Sequence, residues 1–339
     1  MKAVALTRYL PIDHPQSLVD TELPVPRPGP RDLLVAVRAV AVNPVDTKVR
    51  APKDGVEAAP RVLGWDAAGV VEAVGAEVAL FRPGDRVYYA GDITRPGSNS
   101  EYQLVDERIV GHMPASLGFE QAAALPLTAI TAWEALFERL KVAAPPRALP
   151  RKSILIIGGA GGVGSIAIQL AAKVAGLTVI ATASRPASAK WVRELGAHHV
   201  VDHFGDIPLQ LREAGFPTVD HVLVLNDTDR HFRAAAEAIA PQGTICTVVE
   251  NRGPLDIGLL KSKSAALAWE MMFARSMYQT EDMIEQHRLL EEIARLVDSG
   301  IVRTTVTRVM APISAANLRE AHALVEGGST IGKIVLKDF

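Results

Sequence analysis

Hydrophobic and polar positions alternate in the first part of the chain and change period further on. Residues Leu33 to Val42 read LLVAVRAVAV, a near-alternating run that predicts a strand. Val70 to Val74 and Arg86 to Tyr89 predict further short strands, punctuated by the turn Pro83-Gly84-Asp85. The first third therefore reads as an irregular β-barrel or sandwich. Beyond Phe119 the texture changes. Gln121 to Leu140 is alanine-rich and helix-like, interrupted at Pro126, and Ala143 to Arg151 (AAPPRALPR) predicts a loop.

From Ser153 onward, apolar runs alternate with amphipathic ones. Strands are expected at Ile154 to Ile157, Thr178 to Ala181, His199 to Val201, His221 to Leu225 and Thr244 to Val249. A sixth is expected at Ala265 to Phe273. Helices are expected at Val163 to Ala175, Ala187 to Leu195 and Arg230 to Ile239. Strand–helix alternation of this kind predicts a parallel sheet with crossover helices. Asp282 to Asp298 predicts a long amphipathic helix stopped by Gly300, and Ile331 to Leu336 a last strand.

The chain has 339 residues, more than one core normally serves and enough for two domains. Its formal charge of -2 gives no electrostatic reason to expect nucleic acid or an anionic membrane as partner. No apolar stretch is long enough to span a bilayer, and the N-terminus lacks the apolar core of a signal peptide, so a cytoplasmic location is expected. The single cysteine, Cys246, can form neither an internal disulfide nor a four-cysteine zinc site.

Gly159-Ala160-Gly161-Gly162-Val163-Gly164 fits the spacing G-x-G-x-x-G between a predicted strand and a predicted helix. Glycines at these places let backbone N–H groups approach a pyrophosphate, and the helix N-terminus adds partial positive charge. The next strand bears on which dinucleotide is bound. An acid at its end suits the ribose hydroxyls of NAD. From Ser165 through Arg193 there is no acid, and the strand runs out into Thr182-Ala183-Ser184-Arg185. Two hydroxyls and a guanidinium suit a 2′-phosphate, so NADPH is expected, with Lys190 as a weaker helper.

Several separated motifs resemble the medium-chain dehydrogenase/reductase superfamily. They are Gly64-Trp65-Asp66-Ala67-Ala68-Gly69 followed by Gly75 and Val78, Pro83-Gly84-Asp85-Arg86-Val87, Leu125-Pro126-Leu127-Thr128-Ala129, and Gly332-Lys333-Ile334-Val335-Leu336. The resemblance implies a Rossmann doubly wound parallel sheet inserted into a GroES-like β-rich catalytic domain. The expected boundaries are 1–125 and 277–339 for the catalytic domain and 126–276 for the NADPH domain. Zinc-carrying relatives have a histidine where this chain has Trp65, and cysteines near Asn43 and Ala124 where it has none. What remains resembles the zinc-independent quinone oxidoreductase branch through Asn43-Pro44-Val45-Asp46. Thr182 to Pro186 and Phe273 to Met277 look closest to a bacterial subgroup labelled zinc-type alcohol dehydrogenase-like.

The resemblance implies an NADPH-dependent reduction of a quinone or an enone, with no metal. It places Asn43, Asp46 and Thr128 at the catalytic site, where Asn43 is a candidate to bond the substrate carbonyl or simply to cap Pro44. Thr128 is a candidate to touch the nicotinamide or to cap a helix. Many relatives have a tyrosine two residues past the motif aspartate. Here it is Lys48, a candidate proton donor or a solvated surface charge. Tyr88 and Tyr89 are alternative acids that the motif does not place, or packing residues. The cofactor-binding set comprises Gly159, Gly161, Gly162, Val163, Gly164, Thr182, Ser184, Arg185, Phe273 and Lys333. His198, His199, Asp202 and His203 invite a metal reading, but strand alternation sends neighbouring histidines to opposite faces. A double-bond reductase and a non-catalytic, crystallin-like NADPH binder are the alternatives. A homodimer through the edge strand near Ala265 to Phe273 is expected from the fold.

Overall fold

The apolar runs after Ser153 become the strands of a six-stranded parallel sheet in the computed structural model, which describes residues 1–143 and 152–339. All but the first residue of the loop expected at Ala143 to Arg151 lies outside the described residues. The chain divides into two units, one formed by Met1–Ile130 with Phe273–Phe339, the other by Thr131–Met272. These seams fall a few residues from the expected 125/126 and 276/277, and Phe273 belongs to the first unit.

In the second unit the strand order is His199–Val201, Thr178–Thr182, Ser153–Ile157, Val219–Val224, Ile239–Thr247 and Ala266–Trp269. Numbered along the chain this is 3-2-1-4-5-6, the doubly wound order of a Rossmann domain. A parallel sheet is covered on both faces, which is why its central strand is apolar throughout. Ile154, Leu155, Ile156 and Ile157 are fully withdrawn from water, and such burial stabilises by about 1.5–3 kcal/mol per side chain. The crossover helices carry their stop signals in sequence. Pro186 opens Pro186–Leu195 and Gly196 ends it at φ 121°, while the Asp206 carboxylate caps Ile207–Glu213 through the Leu209 N–H.

Three expectations need correction. The helix expected from Val163 to Ala175 is α-helical only over Gly162–Gln169 and widens into a π-turn at Leu170–Val174. The helix expected from Gln121 to Leu140 is three pieces, Phe119–Ala123, Pro126–Trp133 and a π-turn at Glu134–Arg139, because Pro126 has no N–H to continue the first. The sixth strand pairs only over Ala266–Trp269, at the sheet's outer edge.

In the first unit, strand Asp32–Val42 organises a seven-stranded sheet. Its first half pairs with Tyr102–Asp106, its second half with Lys333–Lys337, and its other edge with Ala67–Val74. Bulges at Leu34/Val35 and Val37/Ala39 bend it, as closure of a small barrel requires. Lys2–Arg8, flanked by Val19–Glu22 and Val56–Val62, forms a second, three-stranded sheet. Tyr88 and Tyr89 are fully buried, and the Tyr88 hydroxyl donates to Leu290 O at 2.6 Å, so the first of the pair is tied into packing.

Candidate active site and nucleotide site

The nucleotide site is built from backbone. Strand Ser153–Ile157 turns at Gly158, whose φ of 90° a side chain would strain, and helix Gly162–Gln169 begins after Gly161. The turn is held by two bonds, Gly161 N–H to Gly158 O at 3.3 Å and Gly158 N–H to the Thr182 hydroxyl at 3.0 Å. A Cβ on Gly164 would stand 2.4 Å from Gly158 O and 2.7 Å from the Gly159 Cα. Only glycine there lets the helix start this close to the turn. Gly162, Val163 and Gly164 precede the first intrahelical bond, Ser165 N–H to Gly161 O at 2.9 Å, so their N–H groups have no partner within the helix and suit an anion.

Of the residues expected beside the adenosine ribose, Thr182 is buried, and its hydroxyl oxygen is engaged by the loop. Ser184 is half-buried and Arg185 exposed. Arg185 stands at the N-cap of Pro186–Leu195, where Ser188 Oγ accepts its N–H at 3.2 Å. The four residues of the metal reading diverge. His198 Nδ1 accepts from Val179 N–H at 3.0 Å, His199 packs on Phe216, and His203 lies against Phe204 and His231.

In the first unit, Asn43, Asp46, Asp66 and Lys333 form one buried polar cluster. Asn43 is the N-cap of helix Pro44–Arg50, and its N–H donates to Asp46 Oδ2 at 2.5 Å. Its side-chain amide faces inward, with Nδ2 donating to Asp66 Oδ2 at 2.8 Å and Oδ1 accepting from Lys333 Nζ. Lys333 also donates to Val42 O at 3.0 Å and to Asp66 Oδ2 at 2.9 Å, which uses all three of its N–H bonds. Asp66 Oδ1 accepts Leu127 N–H at 2.8 Å, so this carboxylate sits at the positive end of helix Pro126–Trp133. Burial pushes Asp66 upward, while the Lys333 ammonium and the Leu127 N–H pull against it. Asp46 is pushed up to about 7, first by burial, with Asp66 adding to it and the Asn43 N–H and Lys333 opposing. Asp46 Oδ1 is buried with no partner.

This geometry redistributes the expected roles. Both ends of the Asn43 amide are occupied by protein groups, so it is an organiser of the cluster and not a hand held out to a carbonyl. Lys48 is exposed and takes no part. Thr128 Oγ1 donates back to Leu125 O at 2.9 Å, on the residue that precedes its helix. Phe273 is buried edge-on to Trp65, with ring centroids 6.3 Å apart. In sequence, Asp66 stood only as a member of the Gly64-to-Gly69 motif. Its signal as a hub, and that of Lys333, was a lone charge inside an apolar run, in WDAAGVV and IGKIVL.

A phosphate loop at the head of a doubly wound sheet, in a chain whose other unit is a GroES-like barrel, defines a pyridine-nucleotide oxidoreductase. Residues 29–127 match the alcohol dehydrogenase GroES-like domain and residues 195–336 the zinc-binding dehydrogenase domain. A zinc-type alcohol dehydrogenase-like protein of Staphylococcus aureus is 46% identical over 92% of both chains. A quinone oxidoreductase of Pseudomonas aeruginosa is 31% identical over 91% of this chain and 92% of its own. A Rhizobium etli crystal structure, provisionally described as a zinc-dependent alcohol dehydrogenase, superposes with a TM-score of 0.95. It is 51% identical and covers 100% of this chain and 98% of its own. The chain belongs to the medium-chain dehydrogenase/reductase superfamily.

The zinc in those descriptions does not fit the residues of this chain. Trp65 fills the histidine position, its indole N–H donating to Asp92 O at 3.3 Å. The Asp66 carboxylate is spent on Lys333, Asn43 and Leu127. Cys246 is buried in the nucleotide-binding sheet, its thiol pushed up to about 12 by burial. Among the described residues no group of three or more His, Cys, Asp or Glu is arranged to hold a metal ion.

Proposed function

We propose that the protein is an NADPH-dependent reductase that delivers hydride, without zinc, to a quinone or a similar activated carbonyl acceptor. The observation that carries this reading is the end of the strand after the phosphate loop. It presents Ser184 and Arg185 where a carboxylate would select NAD. The glycine cradle fits the pyrophosphate, with Gly162, Val163 and Gly164 donating. Bound there, NADPH supplies the hydride. This chain's own residues bind and orient it, and the Asn43–Asp66–Lys333 cluster ties strand Lys333–Lys337 to the segments carrying Asn43 and Asp66. The quinone is favoured by the Pseudomonas aeruginosa relative.

The test follows NADPH and NADH oxidation by absorbance with a benzoquinone, a polycyclic quinone, a 2-alkenal and an aldehyde, before and after chelation. Fast NADPH loss with a quinone, unchanged by chelator and slower with NADH, is expected. Turnover confined to the alkenal moves the function to double-bond reduction. Tight NADPH binding with no turnover on any acceptor leaves a non-catalytic binder.

A homodimer through the outer edge of Ala266–Trp269 is part of the same proposal. Trp269 is 45% exposed there, and an unpaired edge invites strand addition. Sedimentation as a monomer at micromolar concentration would remove it.

A further inference from the structure

The nucleotide-binding unit carries a cation that the sequence reading did not connect with the phosphate loop. Parallel pairing sets Thr182 against Val201, and Ala183 N–H donates to Val201 O at 2.9 Å. The two strands therefore leave the sheet side by side, one into Ser184-Arg185 and the other into Asp202-His203-Phe204. Val219–Val224 leaves at the same end, and its following loop borders the phosphate turn. A Cβ on Gly158 would lie 3.3 Å from the Asn226 side-chain oxygen. Four residues on, in helix Thr228–Ala238, Arg230 reaches back over Phe204, with its guanidinium carbon 4.9 Å from the ring centroid. His231 beside it approaches His203, ring centroids 6.4 Å apart.

We propose that Arg230, held on the face of Phe204, joins Arg185 in forming the pocket for the 2′-phosphate and thereby sets the preference for NADPH over NADH. This rests on the NADPH reading above. Arg230 is exposed, and its guanidinium pairs with no carboxylate among the described residues. Two nearby acids bond to backbone N–H groups. Asp227 accepts the Arg230 backbone N–H at 3.3 Å and pairs with Arg252. Asp202 accepts the Phe204 N–H at 2.9 Å. Phe204, 65% exposed, gives the guanidinium plane a flat support, an arrangement that favours arginine over lysine. Both Arg230 and Arg185 act on the same ring. Burial holds His203 toward its neutral form, and the two guanidiniums add to this while the Asp202 carboxylate opposes it. A dianionic phosphate there would meet the Arg230 guanidinium on the same side as Arg185.

Calorimetric titration of the full chain with NADPH, NADH, 2′,5′-ADP and 5′-AMP tests this in wild type, Arg185→Gln, Arg230→Gln, Arg230→Lys and Phe204→Leu. Wild type is expected to prefer NADPH and 2′,5′-ADP over their unphosphorylated counterparts. Arg230→Gln is expected to weaken both phosphorylated ligands about tenfold, as loss of one charge-assisted bond does, and to leave NADH and 5′-AMP within about twofold. Arg230→Lys should fall between, and Phe204→Leu should lose less than Arg230→Gln. Unchanged NADPH affinity in Arg230→Gln, or equal losses for NADPH and NADH, overturns the proposal while a preference in wild type leaves the NADPH reading standing. A wild type that binds NADH as tightly as NADPH overturns both.

Discussion

Burial holds the Asp46 carboxyl at about 7, and that value sets a pH dependence of stability. The folded state favours the protonated form, so between the ordinary carboxylate pKa near 4 and about 7 the native protein binds more proton than the unfolded chain. Stability therefore falls as pH rises through that window and is flat above it. Asp46→Asn keeps an acceptor for the Asn43 N–H and cannot ionise. Its stability relative to wild type should rise between pH 4 and 7 by on the order of 2–4 kcal/mol. Urea unfolding at a series of pH values checks this, and a pH-independent difference would remove the buried ionisation from the account. At this scale the sequence showed which residues sit in a family motif but not their state. Asn43 and Asp46 were legible as motif members, and the occupation of both ends of the Asn43 amide was not. That depends on Lys333 and Asp66, which are near Asn43 only after folding.

Elements were legible where periodicity and punctuation agreed. His199–Val201 and Arg86–Tyr89 fall where the pattern placed them, as does the phosphate turn. Strands such as Lys2–Arg8 and Val306–Met310 were not read out, and the second is exposed at its three central residues, with no buried apolar face to announce it. The π-turns also left no local mark. The one at Glu134–Arg139 is tied by Arg139 Nε to Glu270 at 2.9 Å. Glu270 is a carboxyl pushed upward by burial and by Glu134. Such a tie reaches across more than a hundred residues and has no periodicity. The phosphate turn is different because its demand is steric and local. Gly164→Ala drives a methyl into the Gly158 carbonyl, so the turn must open. NADPH affinity should fall by at least about a hundredfold, with about 1–3 kcal/mol lost in stability. Fluorescence titration and thermal melting check both, and wild-type affinity in this variant would show that the cradle is not the phosphate site.

Across the whole molecule, the cluster joins segments from opposite ends of the chain. Lys333, in the last strand, meets Asn43 and Asp66 through pairing of Lys333–Lys337 with Asp32–Val42. Lys333→Met leaves Asp66 buried without its cation and should cost about 3–5 kcal/mol. Adding Asp66→Asn removes the stranded charge, and an Asn43 amide freed of Lys333 can turn to meet it. The double variant should recover most of the loss in denaturant unfolding. If instead Lys333→Met weakens NADPH while stability holds, Lys333 is the cofactor ligand that the motif implied. By itself the sequence determined the class of fold, the glycine turn between strand and helix, the absence of an acid after it and the tryptophan at position 65. Each of these depends on residue type and spacing within a few positions of the chain. Only tertiary structure decided that Lys333 neutralises Asp66, that Asn43 faces inward, that Lys48 stands in solvent and that Arg230 lies over Phe204. Those are contacts between strands and helices far apart in sequence, and charge pairing and burial exist only once the sheets have brought them together.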